Sequence, residues 1–298
     1  MKSFISDDIW TLDLEDFSKA KARAIKYLKV AMITIRTFSS EKIGFQAVAL
    51  SFFSTMAVVP FIAIAFAITG GLGLDDKLSE LLYTYFNNSQ QVIDVVQGFA
   101  QNIIASAETG WVGLVSALLF AWTVIWMMMS VEKVFNNVWK VGKARNIFKR
   151  LSVIVIMIIV SPLVVMVFFA GTIMYSHMFE YLGLDMETFG PVKTILTWVL
   201  FAAIVTFTFS AMYKFIPNHD VRYGSALRAA IPAAIAFAVM NYLYLETQVL
   251  VTRLNAVYGA FAAVPLFMVW INIGWFIILI GAELSYAFQH VDDYNIDD

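Results

Sequence analysis

An all-α, polytopic membrane fold is what this sequence predicts, on three observations. Six windows carry no Asp, Glu, Lys or Arg: 43–74, 109–131, 151–179, 194–213, 229–245 and 254–282. A helix rising about 1.5 Å per residue needs about 20 apolar residues to cross about 30 Å of hydrocarbon. Four windows are comfortably long, 194–213 just suffices, and 229–245 must borrow from Arg228 or Glu246. Second, the chain is 60% hydrophobic and only 14% charged, with mean hydropathy +0.76, so it lacks the charge that coats a soluble domain. Third, basic residues fall on alternate connections. Seventeen lie before span one, after span two and after span four, against three (Lys77, Lys193 and Arg253) on the opposite connections. The positive-inside bias then places both termini in the cytoplasm.

Residues 1–42 read as a cytoplasmic basic segment, 43–285 as the membrane domain and 286–298 as an acidic cytoplasmic tail. With no apolar run before residue 43, span one is expected to act as an uncleaved insertion signal. Within the first segment, 14–36 predicts an amphipathic helix. Phe17, Ala24, Leu28, Ala31 and Ile35 recur at helical spacing while Lys19, Arg23 and Lys26 take other faces. Such a helix can lie on an anionic leaflet or simply enforce topology.

The largest outward connection, 75–108, predicts a helical hairpin. Leu78, Leu81, Leu82 and Tyr85 make one stripe, Val92, Val96, Phe99 and Ile103 another, and Asn87–Asn88–Ser89 break them. Pro60, Pro162 and Pro265 sit mid-span, where proline removes a backbone donor and kinks the helix. Broken helices at membrane depth are used where freed backbone lines a cavity.

Polar side chains inside the spans are the candidate functional residues. In span six, Tyr258, Pro265, Asn272 and Glu283 fall within about 40° of one another on a helical projection. Gly274 and Gly281 form a small-residue track that admits a close backbone approach. Ser51, Ser54 and Thr55 share a face of span one, and Asn241 leads a face of span five with Tyr244 and Gln248. Facing lipid would be costly, so these stripes are expected inward, either lining a substrate path or bonding helix to helix.

Hydrolytic and nucleotide chemistry lacks its residues. Cysteine is absent, and His177, His219 and His290 are far apart with no HExxH spacing, so no metal centre is expected. No GxSxG elbow, Walker A loop or GxGxxG turn is present, which removes the usual nucleophile, ATP and dinucleotide signals. The sequence therefore predicts no enzyme, no cofactor and no nucleic-acid partner.

The run 258–289, YGAFAAVPLFMVWINIGWFIILIGAELSYAFQ, resembles the closing signature of the YihY/BrkB family of bacterial membrane proteins. ALSFFSTMAVVPF at 49–61 and FNNVWKV at 135–141 are similar to two further family blocks, the second followed by Arg145 and Arg150 and then Ser161–Pro162–Leu163. Ser161 replaces the glycine associated with that position, and the acidic tail lacks a basic extension seen in some relatives. The resemblance implies six inner-membrane helices and no settled activity. The ribonuclease BN label attached to the family fits badly with a chain lacking clustered His and Asp. Members have also been linked to moving envelope lipids. The leading expectation is therefore a transporter or flippase-like protein, not driven by ATP, for lipids or other amphipathic envelope components. Tyr258, Pro265, Asn272, Glu283, Ser51, Ser54, Thr55 and Asn241 would line the path, and Asn136, Arg145 and Arg150 would meet head groups at the inner face. The alternative is a scaffold that docks an envelope complex through 75–108; the partners expected are membrane lipids and either a second copy of the chain or an envelope protein.

Overall fold

A computed structural model describes residues 10, 17–40, 42–71, 98, 102, 111–142, 145–146, 148–156, 159–160, 186–252 and 256–294. All regular structure among them is helical. In chain order the elements are α1 (Lys19–Ser40), α2 (Ile43–Gly71), α3 (Trp111–Val138), α4 (148–156), α5 (Met186–Phe215), α6 (Tyr223–Thr252) and α7 (Ala256–His290). Three described stretches are long and apolar enough to cross a membrane: Ile195–Phe215, Tyr223–Tyr244 and Pro265–His290. Ile43–Val58 is a shorter apolar helix. The short fifth window borrows from Arg228, which lies within the apolar stretch Tyr223–Tyr244. Pro60, Pro232 and Pro265 lie inside helices. The 75–108 hairpin, apart from residues 98 and 102, lies outside the described residues, as do Pro162 and most of the third window.

Several hydroxyl side chains inside these helices bond back to their own helix. Thr55 Oγ1 donates to the Ser51 carbonyl at 2.8 Å, Thr206 to Ala202 at 2.7 Å and Thr208 to Ile204 at 2.9 Å. This back-bonding makes a hydroxyl tolerable where water is absent. The end of α3 is a Schellman cap: Lys140 takes φ 49° while its N–H reaches the Asn137 carbonyl and the Val141 N–H reaches Asn136, both at 2.9 Å. Lys42, φ 51°, turns the chain from α1 into α2.

Helix α7 is the hub, packed against α6 on one side and α1 and α2 on others, while α5 packs on α6 and α3 on α2. Its glycine track makes the closest approach: a Cβ at Gly281 would lie 2.7 Å from Tyr213 Cζ and 2.9 Å from Ala233 Cβ. At Gly274 the nearest neighbours are Phe237 and Met240. The buried core gathers at the end carrying the basic connections, where Phe135, Tyr213, Ile216, Leu279 and Val291 meet.

Helix α1 begins later than the sequence pattern suggests and runs antiparallel along α7. Tyr27 packs edge-on to Phe288, Phe38 meets Phe276, and Lys26 pairs with Asp292 at 2.7 Å. The face that packs is Val30, Ile33, Thr34 and Thr37. The apolar stripe read from the sequence points the other way: Ala24, Leu28, Ala31 and Ile35 are all exposed.

Candidate functional site

A groove of about 700 Å³ lies between α2 and α3. One α3 stripe floors it: Trp122, Trp126, Met129, Lys133 and Asn137, spaced by four, three, four and four residues. That spacing keeps all five on one helical face over about 22 Å. Helix α2 contributes Gln46, Ala49, Leu50 and Phe53, and Arg150 closes one end from the first turn of α4.

The groove is chemically graded along its length. Phe53, Trp122 and Trp126 sit toward one end, the two tryptophans 59% and 52% exposed and stacked edge-to-face at 5.8 Å. Gln46, Lys133, Asn137 and Arg150 collect at the other, and Asn137 Nδ2 approaches Gln46 Oε1 at 3.4 Å. Arg150 Nε donates to Glu132 Oε2 at 2.6 Å and its Nη2 to the Met129 carbonyl at 3.3 Å. The Glu132 side chain is only 6% exposed, so this carboxylate is held by a guanidinium in a dry setting. Tryptophans at one end and cations at the other suit a molecule with an apolar tail and an anionic head. A second cavity, about 330 Å³, lies between α6 and α7 and is mostly apolar, with Tyr244 stacked on Trp270 in its wall.

Some of the polar residues singled out in the spans tie one helix to another. Asn272 Nδ2 donates to Ser51 Oγ at 3.2 Å, and Trp275 Nε1 donates to Ser54 Oγ at 2.8 Å, tying α7 to α2. Asn241 Oδ1 accepts from Trp270 Nε1 at 3.2 Å, tying α6 to α7. Glu283 is fully buried, and Pro265 is exposed. Tyr258 is in α7, but its side chain lies outside the described residues. Of the three residues expected at head groups, Arg150 borders the groove. Asn136 and Arg145 instead clasp the α5–α6 connection. Asn136 Oδ1 accepts from the Asn218 N–H at 2.7 Å, and Arg145 donates to the carbonyls of Pro217 (2.7 Å) and Phe215 (3.0 Å) and to Asn218 Oδ1 (3.2 Å). Trp139 is buried beside them, stacked on His219 and edge-on to Tyr286.

Sequence reading missed Trp122, Trp126 and Lys133. Their four- and seven-residue spacing is the signal in the sequence, a stripe that is aromatic within the charge-free window and basic only past it, so it does not stand out as a polar group within a span.

The sequence model of the family described as Virulence factor BrkB matches residues 34–298. A UPF0761 membrane protein of Haemophilus influenzae is 24% identical over 87% of this chain and 94% of its own length. Another, from Aromatoleum aromaticum, is 28% identical over 79% of this chain and 58% of its own, and one from Legionella pneumophila is 26% identical over 91% and 64%. The chain spans about three fifths of the length of several curated relatives it matches. No solved structure matches.

Proposed function

This chain belongs to the Virulence factor BrkB family, and on that premise we propose that it carries a lipid or other amphipathic envelope component across the bacterial inner membrane without ATP. It would do so as a six-span protein with both termini in the cytoplasm, the topology that the charge-free windows and the basic-residue asymmetry support. The observation that carries the reading is the graded groove, whose cationic end sits where the basic connections converge and whose tryptophans line the apolar remainder.

A carrier must hold a head group without burying it unpaired and must let the tail stay in an oily setting. Lys133 and Arg150 meet the first need, Trp122, Trp126 and Phe53 the second. The Asn272–Ser51 and Trp275–Ser54 bonds fix α2 against α7, on a face of α2 about 120° from the groove lining. In this reading the seam is the fixed side of α2, and α3 is the side that can yield. Tyr258, Pro265, Glu283, Thr55 and Asn241 then belong to the scaffold around which that movement happens.

The test is reconstitution of the purified chain in vesicles whose inner-leaflet lipids carry a reporter. The expected result is protein-dependent exchange between leaflets, slowed about tenfold when Trp122 and Trp126 are both replaced by alanine. Exchange no faster than in empty vesicles for every lipid tried would overturn the proposal, as would wild-type rates in the double variant.

A further inference from the structure

The geometry points to an anionic glycerolipid as the groove's occupant, its phosphate taken by Lys133 and Arg150, with Glu132 as a built-in competitor that sets how strongly charge is preferred. This rests on the groove as a lipid site but not on transport. Arg150 carries five N–H donors in a planar fork. Among the described residues, Glu132 Oε2 and the Met129 carbonyl take two of them. The guanidinium is therefore anchored from the α3 side while it still borders the groove. Lys133, one residue beyond Glu132, is exposed in the same wall, and it makes no salt bridge among the described residues.

Charge complementarity selects the ligand class. A phosphate diester meets two cations at the mouth, whereas the ammonium of a zwitterionic head would be brought toward Lys133. The apolar remainder of the groove selects against a free phosphate, since Trp122, Trp126 and Phe53 offer it nothing. Glu132 works in two directions. Its 2.6 Å bond aims Arg150, and its negative charge, almost fully buried, offsets the field an incoming phosphate would feel. It is a positioning residue whose charge also tunes specificity.

The test uses full-length protein in phosphatidylcholine nanodiscs doped with lipids bearing brominated acyl chains, which quench nearby tryptophan. Trp122→Phe/Trp126→Phe protein supplies the background. Brominated phosphatidylglycerol should quench the groove tryptophans at about one tenth the mole fraction that brominated phosphatidylcholine needs. Lys133→Gln and Arg150→Gln should each pull that ratio toward one, and raised salt should do the same. Glu132→Gln keeps a hydrogen-bond acceptor for Arg150 while removing the competing charge, so it should raise the ratio. A merely structural Glu132 would lower it or leave it unmoved, and either result overturns its proposed role. Equal quenching by both lipids in the unaltered protein overturns the proposed selectivity, and loss of quenching on adding soluble glycerol phosphate overturns the lipid as occupant. No quenching by either lipid means the groove is covered by the chain itself and overturns the site. Because no flux is read, a lipid that binds selectively and never crosses leaves this inference standing while the carrier reading falls.

Discussion

Gly281 lies directly beneath the phenol of Tyr213, so close that a Cβ there would overlap the ring hydroxyl and stand 2.9 Å from Ala233 Cβ. Three helices, α5, α6 and α7, therefore converge on a position that only glycine can occupy. Gly281→Ala should destabilise the protein by about 1–3 kcal/mol, the range typical of overpacking. Thermal unfolding in detergent reads this directly. Tyr213→Phe in the same background should recover part of the loss, because the Tyr213 hydroxyl finds no hydrogen-bond partner among the described residues.

The α2–α7 seam makes a second prediction. Ser54→Ala leaves the Trp275 indole N–H without its acceptor, and Ser51→Ala does the same to Asn272. Each should cost about 0.5–1.5 kcal/mol, as interhelical bonds within membranes do. A double-mutant cycle of Ser51→Ala with Asn272→Ala isolates the pair, and a coupling of zero would show that the bond contributes nothing.

Arg145 reaches two carbonyls and one side-chain amide of the 215–218 segment, a fork that an ammonium cannot reproduce. Arg145→Lys should therefore loosen this connection nearly as much as Arg145→Ala, costing about 2 kcal/mol of local stability. Hydrogen exchange at Ile216–Val221 is the measurement. Full protection in the lysine variant would mean that charge alone suffices.

The topology proposed from the distribution of Lys and Arg is tested by reporters fused at single sites. A reporter after Asp298 should report the cytoplasm, and one inserted beside Lys77 the opposite side. Both on one side would require an odd number of crossings between them to be replaced by an even one.

The sequence disclosed helix identity and span candidates because the cost of a charge in hydrocarbon is paid residue by residue, and a charge-free window needs no partner to be recognised. The Gly274–Gly281 track was legible for the same reason: small residues at that spacing permit a close approach whatever arrives. What arrives, Tyr213 and Phe237, came only with the fold. The helical face through Asn272 was readable too, but not its partner, since Ser51 is 221 residues away in the chain.

Residue type and spacing thus marked on their own the all-helical class, the candidate spans and the side chains that demand a partner. Tertiary packing alone decided the partners. It placed the exposed stripe of α1 away from α7, turned Arg145 into a clasp and left Arg150 at a groove, and it set Trp126 and Phe53 on facing walls. The physical reason is that a hydrocarbon-soluble helix has no hydrophobic incentive to choose one neighbour over another. Its pairing is settled by a few glycines and polar bonds spread along the whole chain, and those act only once the helices are side by side.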